Sequence, residues 1–351
     1  MTLEAIGSHW MNPDRQLYGR KSCAVELVYL NDPLPGFDLA ALKQRVDMVR
    51  AKGADVWVRV DWRPRQVLPP MEDEAGVFDY VQGVQQLVAE NDVRGIICGN
   101  EVNLHTETNG AEIQPWWVAR IVYGHQLESD RTDCAYQFAK TARPSIQVLA
   151  PPVAPWAAEP DAGGGDTTDL TPPDGRPGVR EWESYQFDLA RSCYDSLGHV
   201  ADTSAIQFAI HTYGRVGDGT ANGGAREPWT DVRNWENSFG AQWGSRWLQD
   251  AIYYCRQGRL HSPYAVDDAP LVLISEANTL TDGQYPQQNY PAGWWKELAY
   301  YANTFPNVMG LCAFVDQDLG QTWTRTSMSI PLGRLLEWNQ DHDELLQNGW
   351  T

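Results

Sequence analysis

The chain has 351 residues with 27 basic and 46 acidic side chains, which gives a formal net charge of −19. This length suffices for one large α/β domain, or two small ones, with a sizeable core. The acidic balance argues against nucleic acid and anionic membrane surfaces as main partners. Because no run of about 18 apolar residues occurs, a transmembrane helix is excluded.

The cysteines and the first residues indicate neither a disulfide framework nor a targeting signal. None of the six cysteines forms a C-x-x-C pair, so we predict no zinc site and expect no metal or cofactor. The first ten residues lack the basic region and apolar run of a signal peptide. The chain as written is therefore expected to be cytoplasmic, although a secreted chain whose signal had been removed would look the same.

Short apolar, β-branched runs alternate with helical patterns along the chain, which is typical of βαβ units and a parallel sheet. We predict strands at Leu3–His9, Ala24–Leu30, Asp55–Asp61, Gly95–Gly99, Ile146–Ala150, Ile206–His211, Leu271–Ser275 and Met309–Phe314. Helices are predicted over residues 39–49, 77–88, 132–142, 181–196, 239–257 and 293–303. Eight strands with intervening helices favour a closed (β/α)8 TIM barrel over an open sheet.

The segments that follow the strands are long from the fourth strand onward, whereas the links from helix to strand stay short. Residues 151–180 contain seven Pro and five Gly, too many for regular structure. A barrel that lengthens only the loops beyond the carboxyl ends of its strands builds a site there. We therefore predict one barrel domain over residues 1–351 with a Pro/Gly-rich insertion at about 151–180. The alternative for this segment is a surface insertion or a linker between domains.

Two glutamates stand where predicted apolar strands end. Glu101 follows the fourth strand, and Glu276 follows the seventh. Burying a lone carboxylate costs free energy, so each is either solvated in a cleft or paired. At the mouth of one barrel both can face the same cavity. Two carboxylates about 5–5.5 Å apart are what glycoside hydrolysis with retention of configuration requires.

The predicted sixth strand ends in His211-Thr212-Tyr213, which places His211 and Tyr213 on one face. A phenol beside a nucleophilic carboxylate can donate a hydrogen bond to it, and a histidine can do so for the substrate or the acid. Taken alone, each is equally consistent with a core histidine or a rim aromatic. Their coincidence with Glu101 and Glu276 at strand ends favours a site.

Asn100-Glu101, His211-x-Tyr213 and Glu276 together resemble clan A glycoside hydrolases, which are (β/α)8 barrels that cleave β-glycosidic bonds with retention. The His-x-Tyr pattern is nearest to family 5. The resemblance implies that Glu101 is the acid/base, that Glu276 is the nucleophile and that Asn100 binds the sugar 2-hydroxyl. It also implies that Tyr213 contacts the nucleophile and that His211 forms a hydrogen bond on the substrate side.

Other side chains near strand ends complete the predicted site. Arg59, on the third strand, is similar to an arginine that keeps the nucleophile ionised in these barrels. Trp62, Phe314 and Trp323 are candidates for stacking on sugar rings. His9, at the end of the first strand, is expected either to line the cleft or to cap the barrel.

Some features leave other interpretations open. Many relatives have Pro where this chain has Val102, and strand eight commonly ends in Trp where this chain has Phe314. These departures leave room for a barrel that binds carbohydrate without cleaving it. A metal-dependent hydrolase would need His-x-His on an early strand, and a dinucleotide enzyme a Gly-x-Gly-x-x-Gly turn. No early strand has either pattern.

The sequence thus predicts a retaining β-glycosidase with an oligo- or polysaccharide substrate and no cofactor, the alternative being a carbohydrate-binding barrel. One buried ion pair is also expected. If Glu26 on the second strand and Arg59 on the third both face the barrel interior, they should pair, since an isolated buried charge is untenable.

Overall fold

The computed structural model describes residues 3–9, 21–104, 106–111, 113–124, 133–154, 181–197, 205–216, 245–261, 270–281, 294–313 and 332–349. The strands within them are β1 Ala5–His9, β2 Ser22–Tyr29, β3 Asp55–Asp61, β4 Gly95–Cys98, β5 Gln147–Ala150, β6 Gln207–Val216, β7 Leu271–Thr281 and β8 Val308–Ala313. The helices are α1 Leu39–Ala51, α2 Glu74–Glu90, α3 Pro115–Tyr123, α4 Ala135–Ala142, α5 Glu181–Leu197, α6 Ser245–Leu260, α7 Trp294–Ala302 and α8 Leu332–Asn348. The strands pair in sequence order, all parallel, and β1 closes on β8. The predicted (β/α)8 barrel is confirmed.

Differences from the predicted elements are small and have local reasons. For α3 the sequence indicates only a helix start at Trp116 and Trp117, and it indicates no helix at α8. Helix α3 is only nine residues long and begins with Pro115, a position where the missing N–H costs nothing. Strands β6 and β7 run on beyond their predicted ends because they continue to pair with each other as far as Val216 and Thr281. Residues 155–180 of the predicted insertion lie outside the described residues, so the single-domain organisation stays a prediction.

Two apolar layers surround the β-sheet. The larger lies between the outer face of the sheet and the helices. The smaller fills the barrel, with members from every strand: Ala5, Cys23, Val25, Trp57, Ile97, Leu149, Ala209, Leu273, Met309 and Cys312. The barrel interior is therefore a packed core, and it supports the residues at the carboxyl ends of the strands. None of the helices in the described part of the chain has the length and apolar character that a membrane span requires.

The expected pairing of Glu26 with Arg59 is wrong. Cys23 and Val25 belong to the barrel interior, so Glu26 faces outward by the alternation of strand residues. There it meets Arg45 of α1, whose Nε lies 2.7 Å from Glu26 Oε2. Arg59 faces inward and pairs with other acids. The barrel thus keeps these two charged side chains on opposite faces of its wall.

Gly7 lets two thiols approach each other inside the barrel. Its strand lies between β2 and β8, and Gly7 is the register partner of both Cys23 and Cys312. The two sulfur atoms are 3.5 Å apart. A Cβ at position 7 would lie 1.7 Å from the Cys23 carbonyl oxygen and 2.9 Å from its sulfur. No side chain fits without moving the backbone of β2.

We therefore expect Gly7→Ala to lower the free energy of unfolding by about 3 kcal/mol or more, at the upper end of overpacking effects. Gly83→Ala is the matched control because its Cβ would meet only the end of the Leu30 side chain, at 2.9 Å. Urea unfolding followed by circular dichroism measures both variants. Equal stability of the two would contradict the tight approach of the strands at Gly7.

Candidate active site

The chain leaves β4 through a strained turn that holds Glu101. Gly99 has φ 90° and Glu101 has φ 33°, and a non-glycine residue with positive φ is uncommon. The turn is held because Gly99 N donates to Val60 O at 2.9 Å and Leu104 N donates to Glu101 O at 2.8 Å. Such strain persists only where the surroundings impose it, and it concentrates at functional sites.

A bulge in β7 sets the direction of Glu276. Ile274 pairs with Ile210 and Glu276 pairs with His211, so Ser275 is an extra residue with no partner of its own in β6. Leu273 faces the barrel interior, and strict alternation would therefore turn residue 276 outward. The extra residue restores the inward direction. Glu276 thereby lies beside His211 at the mouth of the barrel.

His211 lies between the two glutamates. Its Nδ1 is 2.7 Å from Oε1 of Glu101 and 3.5 Å from Oε2 of Glu276. One oxygen of each carboxylate and this nitrogen all lie within 4.8 Å of one another. The sequence prediction that strands four, six and seven bring these three residues together is thus matched by the geometry. An oxygen pair within 4.8 Å is compatible with the separation of about 5–5.5 Å between carboxyl groups in retaining glycosidases.

Arg59 on β3 is the cation of the site. Its Nε and Nη2 donate to both oxygens of Asp61, the shortest distance being 2.7 Å. Its Nη1 is 3.6 Å from Oε1 of Glu276, and its Nη2 is 3.7 Å from Oε2 of Glu107. One guanidinium therefore interacts with three carboxylates while its side chain is only 11% exposed. Glu101 has no ion pair of this kind among the described contacts.

The environment favours the protonated form of Glu101. Burial raises the pKa of Glu101 well above its ordinary value, and the charge of Glu107 raises it further, against a lowering effect of Arg59. Burial also raises the pKa of Asp61, to about 6, although Arg59 opposes this shift. Two glutamates with different electrostatic surroundings are the arrangement in which one carboxyl holds a proton and the other is ionised.

The imidazole of His211 is neutral near neutral pH. Burial lowers the pKa of His211 to about 4, with Arg59 acting in the same direction and with Glu276 and Glu107 opposing. A neutral imidazole can accept a hydrogen bond at Nδ1 from a protonated Glu101 or, as its other tautomer, donate a hydrogen bond from Nδ1 to an ionised one. His211 can therefore hold Glu101 in place in either protonation state.

We expect NMR of the ring nitrogens of His211 to show a neutral imidazole from pH 8 down to about pH 5. The unfolded chain takes up this proton near pH 6.5, whereas the folded chain does so only near pH 4. His211 therefore lowers the free energy of unfolding as the pH falls between these values. His211→Asn provides the assignment. An imidazolium signal from His211 at pH 6 would contradict the burial argument.

Glu101, His211 and Glu276 form the one cluster of three potential metal-ligating side chains within the described ranges. A carboxylate–imidazole set of this kind can hold a divalent ion in other proteins. Here an ion would have to replace the 2.7 Å hydrogen bond between His211 and Glu101. It would also meet the Arg59 guanidinium, which lies 3.6 Å from Glu276. The arrangement suits proton transfer better than metal binding.

Two asparagines flank Glu101 and differ in their partners. Asn100 is 4% exposed, and its Oδ1 is buried without a hydrogen-bond donor in the described part of the chain. Such an atom is costly unless a ligand or water satisfies it. Asn103 uses both ends of its amide on the loop after β5, accepting from Ala154 N at 2.8 Å and donating to Ala154 O at 3.0 Å. These two hydrogen bonds connect the loop after β4 to the loop after β5.

The remaining predicted site residues are less well placed by the structure. Trp62 directly follows β3, is 7% exposed, and packs edge-on against Tyr80 with ring centroids 6.4 Å apart. The backbones of His9 and Tyr213 lie in β1 and β6, but their side chains are outside the described part of the structure. Phe314 and Trp323 lie wholly outside the described residues. For all of these, a role in binding stays a prediction.

The site residues predicted from the sequence do not include two acidic residues that the structure brings close to Arg59. Asp61 is two residues after Arg59 and therefore shares its face of β3, a signal that the strand period does provide. Glu107 lies in the loop after β4, where no periodic pattern operates. Its approach to Arg59 depends on the path of that loop. Only the three-dimensional structure places Glu107 near the site.

Solved structures with similar folds are glycoside-cleaving enzymes. An endo-β-1,4-mannanase double mutant from Cellulomonas fimi has a TM-score of 0.54 at 9% identity, covering 98% of this chain and 71% of that chain. A glucosidase from Croceicoccus marinus has a TM-score of 0.53 at 14% identity, covering 98% of this chain and 70% of that one. No protein-family model and no curated protein matches the sequence. The chain thus resembles glycoside hydrolases in fold, and identities this low establish the shared fold alone.

Proposed function

We propose that this protein is a retaining glycoside hydrolase that cleaves β-glycosidic bonds of an oligo- or polysaccharide through two glutamates. The observation that carries the proposal is the pair of buried carboxyls, Glu101 and Glu276, with oxygens within 4.8 Å of each other at the mouth of the barrel. The similarity in fold to a mannanase and a glucosidase supports the same class of reaction. A saccharide is the substrate, and the chemistry needs no cofactor.

In the first step Glu276 acts as the nucleophile. Its carboxylate oxygen forms a bond to the anomeric carbon while the bond from that carbon to the leaving oxygen breaks. Glu101 gives its proton to that oxygen. The electrostatic difference between the two residues supports this assignment, because Glu276 lies 3.6 Å from the Arg59 guanidinium and the raised pKa of Glu101 keeps it protonated.

In the second step Glu101 acts as the base. The ionised Glu101 takes a proton from water, and the water oxygen forms a bond to the anomeric carbon. The ester bond to Glu276 breaks, which releases the sugar with its original configuration and restores both residues. His211 retains its place beside Glu101 in both steps, because the imidazole can serve as acceptor or donor while neutral.

Other residues have supporting roles in this proposal. The buried Oδ1 of Asn100, which has no donor among the described residues, would accept a hydrogen bond from the sugar 2-hydroxyl. Arg59 attracts the carboxylate of Glu276, and Tyr213, whose backbone pairs with Asn278 two residues beyond Glu276, would donate to the nucleophile. Trp62, Phe314, Trp323 and His9 are proposed to bind substrate or to support the site.

A panel of aryl β-glycosides and of plant and microbial polysaccharides, with products sized by chromatography, tests the activity. We expect hydrolysis of at least one member, with NMR showing the β-anomer as the first product. A first product of α-configuration would contradict the double displacement. Saccharide binding by calorimetry without any hydrolysis would identify the protein as a carbohydrate-binding barrel instead.

Glu276→Ala should lower kcat at least about a thousandfold, as loss of a nucleophile does in other enzymes. Azide should partly restore turnover by filling the space of the carboxylate, and the product should be the α-glycosyl azide. Glu101→Ala should also respond to azide but give the β-glycosyl azide, because azide then attacks the glycosyl-enzyme. The two configurations distinguish the two roles.

Glu90→Gln is the control for these variants because Glu90 is exposed at the end of α2, where it accepts a hydrogen bond from Gln86. It should keep normal turnover. If Glu276→Ala keeps the turnover of the Glu90→Gln variant, the assignment of the nucleophile is wrong. If both azide products have the same configuration, the division of roles between Glu101 and Glu276 is wrong.

A further inference from the structure

Glu107 is held near the site by a fixed backbone. It lies six residues after Glu101 in the loop that follows β4. Val67 N donates to Glu107 O at 2.9 Å, and Glu107 N donates to Leu104 O at 3.0 Å. The next residue, Thr108, forms a bridge with the turn after β3. The side chain of Glu107 therefore extends from a part of the loop that is anchored on both sides.

Arg59 distributes its donors unequally among three acids. Nε and Nη2 bind Asp61, and Nη2 also lies 3.7 Å from Oε2 of Glu107. Nη1 is left for Glu276, at 3.6 Å. The Glu107 side chain is 28% exposed, compared with 5% for Glu276. Glu107 is thus the carboxylate on the solvent side of the guanidinium.

We propose that Glu107 is a positioning residue that, together with Asp61, fixes the Arg59 guanidinium so that its Nη1 edge faces Glu276. The inference rests on the proposed function, in which Glu276 is the nucleophile. Without Glu107, Asp61 alone would hold the arginine through Nε and Nη2. The guanidinium would then be free to rotate about that contact, which would turn its Nη1 edge away from Glu276.

The electrostatics of the site act in the same direction. The charge of Glu107 raises the pKa of Glu101, whereas that of Arg59 lowers it. Glu107 thus offsets the effect of the arginine on the acid. Removing the negative charge of Glu107 should therefore lower the pKa of Glu101. The acid then loses its proton at a lower pH.

Other titratable groups among the described residues face this cluster from several strands. Tyr29 of β2 has its pKa raised to about 12 by burial, Asp61 of β3 has a pKa of about 6, and His211 of β6 has a pKa of about 4. Glu276 faces the cluster from β7. None of these three pKa values lies between pH 7 and pH 11. The basic limb of activity in that range should therefore report the titration of Glu101.

Glu107→Gln tests the proposal because it removes the charge and keeps the size. The basic limb of kcat/KM for the best aryl glycoside should move down by about one pH unit, and activity on the acid side of that limb should fall because Nη1 no longer faces Glu276. Glu107→Asp, which keeps the charge, should restore part of the shift. Glu74→Gln is the matched control because it removes a carboxylate from another buried arginine, Arg120, at 2.7 Å on the outer helices.

The titration of Glu101 in the resting protein gives a second readout that needs no activity. NMR of ¹³C-carboxyl-labelled glutamate, assigned with Glu101→Gln, should show a lower pKa for Glu101 in Glu107→Gln than in the wild type. An unchanged Glu101 titration, or an equal loss of activity at every pH with the limb in place, would overturn the proposal. If the wild type cleaves no glycoside, the proposed function fails and the Glu101 titration alone decides this inference.

Discussion

The buried guanidinium of Arg59 is the charge around which the rest of the site is organised. A single ion pair at about 4 Å gains about 4 kcal/mol at an effective dielectric constant of 20, while desolvation costs several kcal/mol for each buried ion. One partner would therefore leave little or no net gain. The two-pronged contact with Asp61 and the charges of Glu107 and Glu276 together stabilise the arginine. The same arrangement separates Glu276, which lies beside a cation, from Glu101, which lies beside a neutral imidazole.

The backbone supplies the directions that these charges require. Glu101 leaves β4 with φ 33°, which a regular strand end would not give. Glu276 points inward only because Ser275 is an extra residue in β7. Asn103 then links the turn after Glu101 to the loop after β5 through Ala154. The positive φ at Glu101 and the bulge at Ser275 therefore direct the two carboxyl groups into the site, and Asn103 holds the loop that follows Glu101.

Most of the fold follows from patterns that the sequence displays directly. Apolar strands alternating with amphipathic helices predict the barrel, and polar residues at strand ends predict that Glu101, His211 and Glu276 meet. The condition for pairing Glu26 with Arg59 is not met, because Cys23 and Val25 face the interior and Glu26 therefore faces outward, where it pairs with Arg45 of α1. Strand periodicity predicts that Arg59 and Asp61 share a face.

The missing parts depend on geometry that no short-range pattern encodes. A bulge at Ser275 leaves no mark in composition, since a serine before a glutamate is an ordinary strand end. Glu107 approaches Arg59 through the path of a loop that is fixed by a long-range hydrogen bond from Val67 N to Glu107 O.

The extra residue in β7 also separates two structural roles of the strand. Below Ser275 the strand contributes Leu273 to the packed interior, and above it the strand carries the reactive group. Because the side-chain direction changes within that one residue, deleting Ser275 would turn the carboxylate of Glu276 to the outer face of the strand while Leu273 kept its place in the interior. The bulge thus lets one strand serve both the packed interior and the site above it.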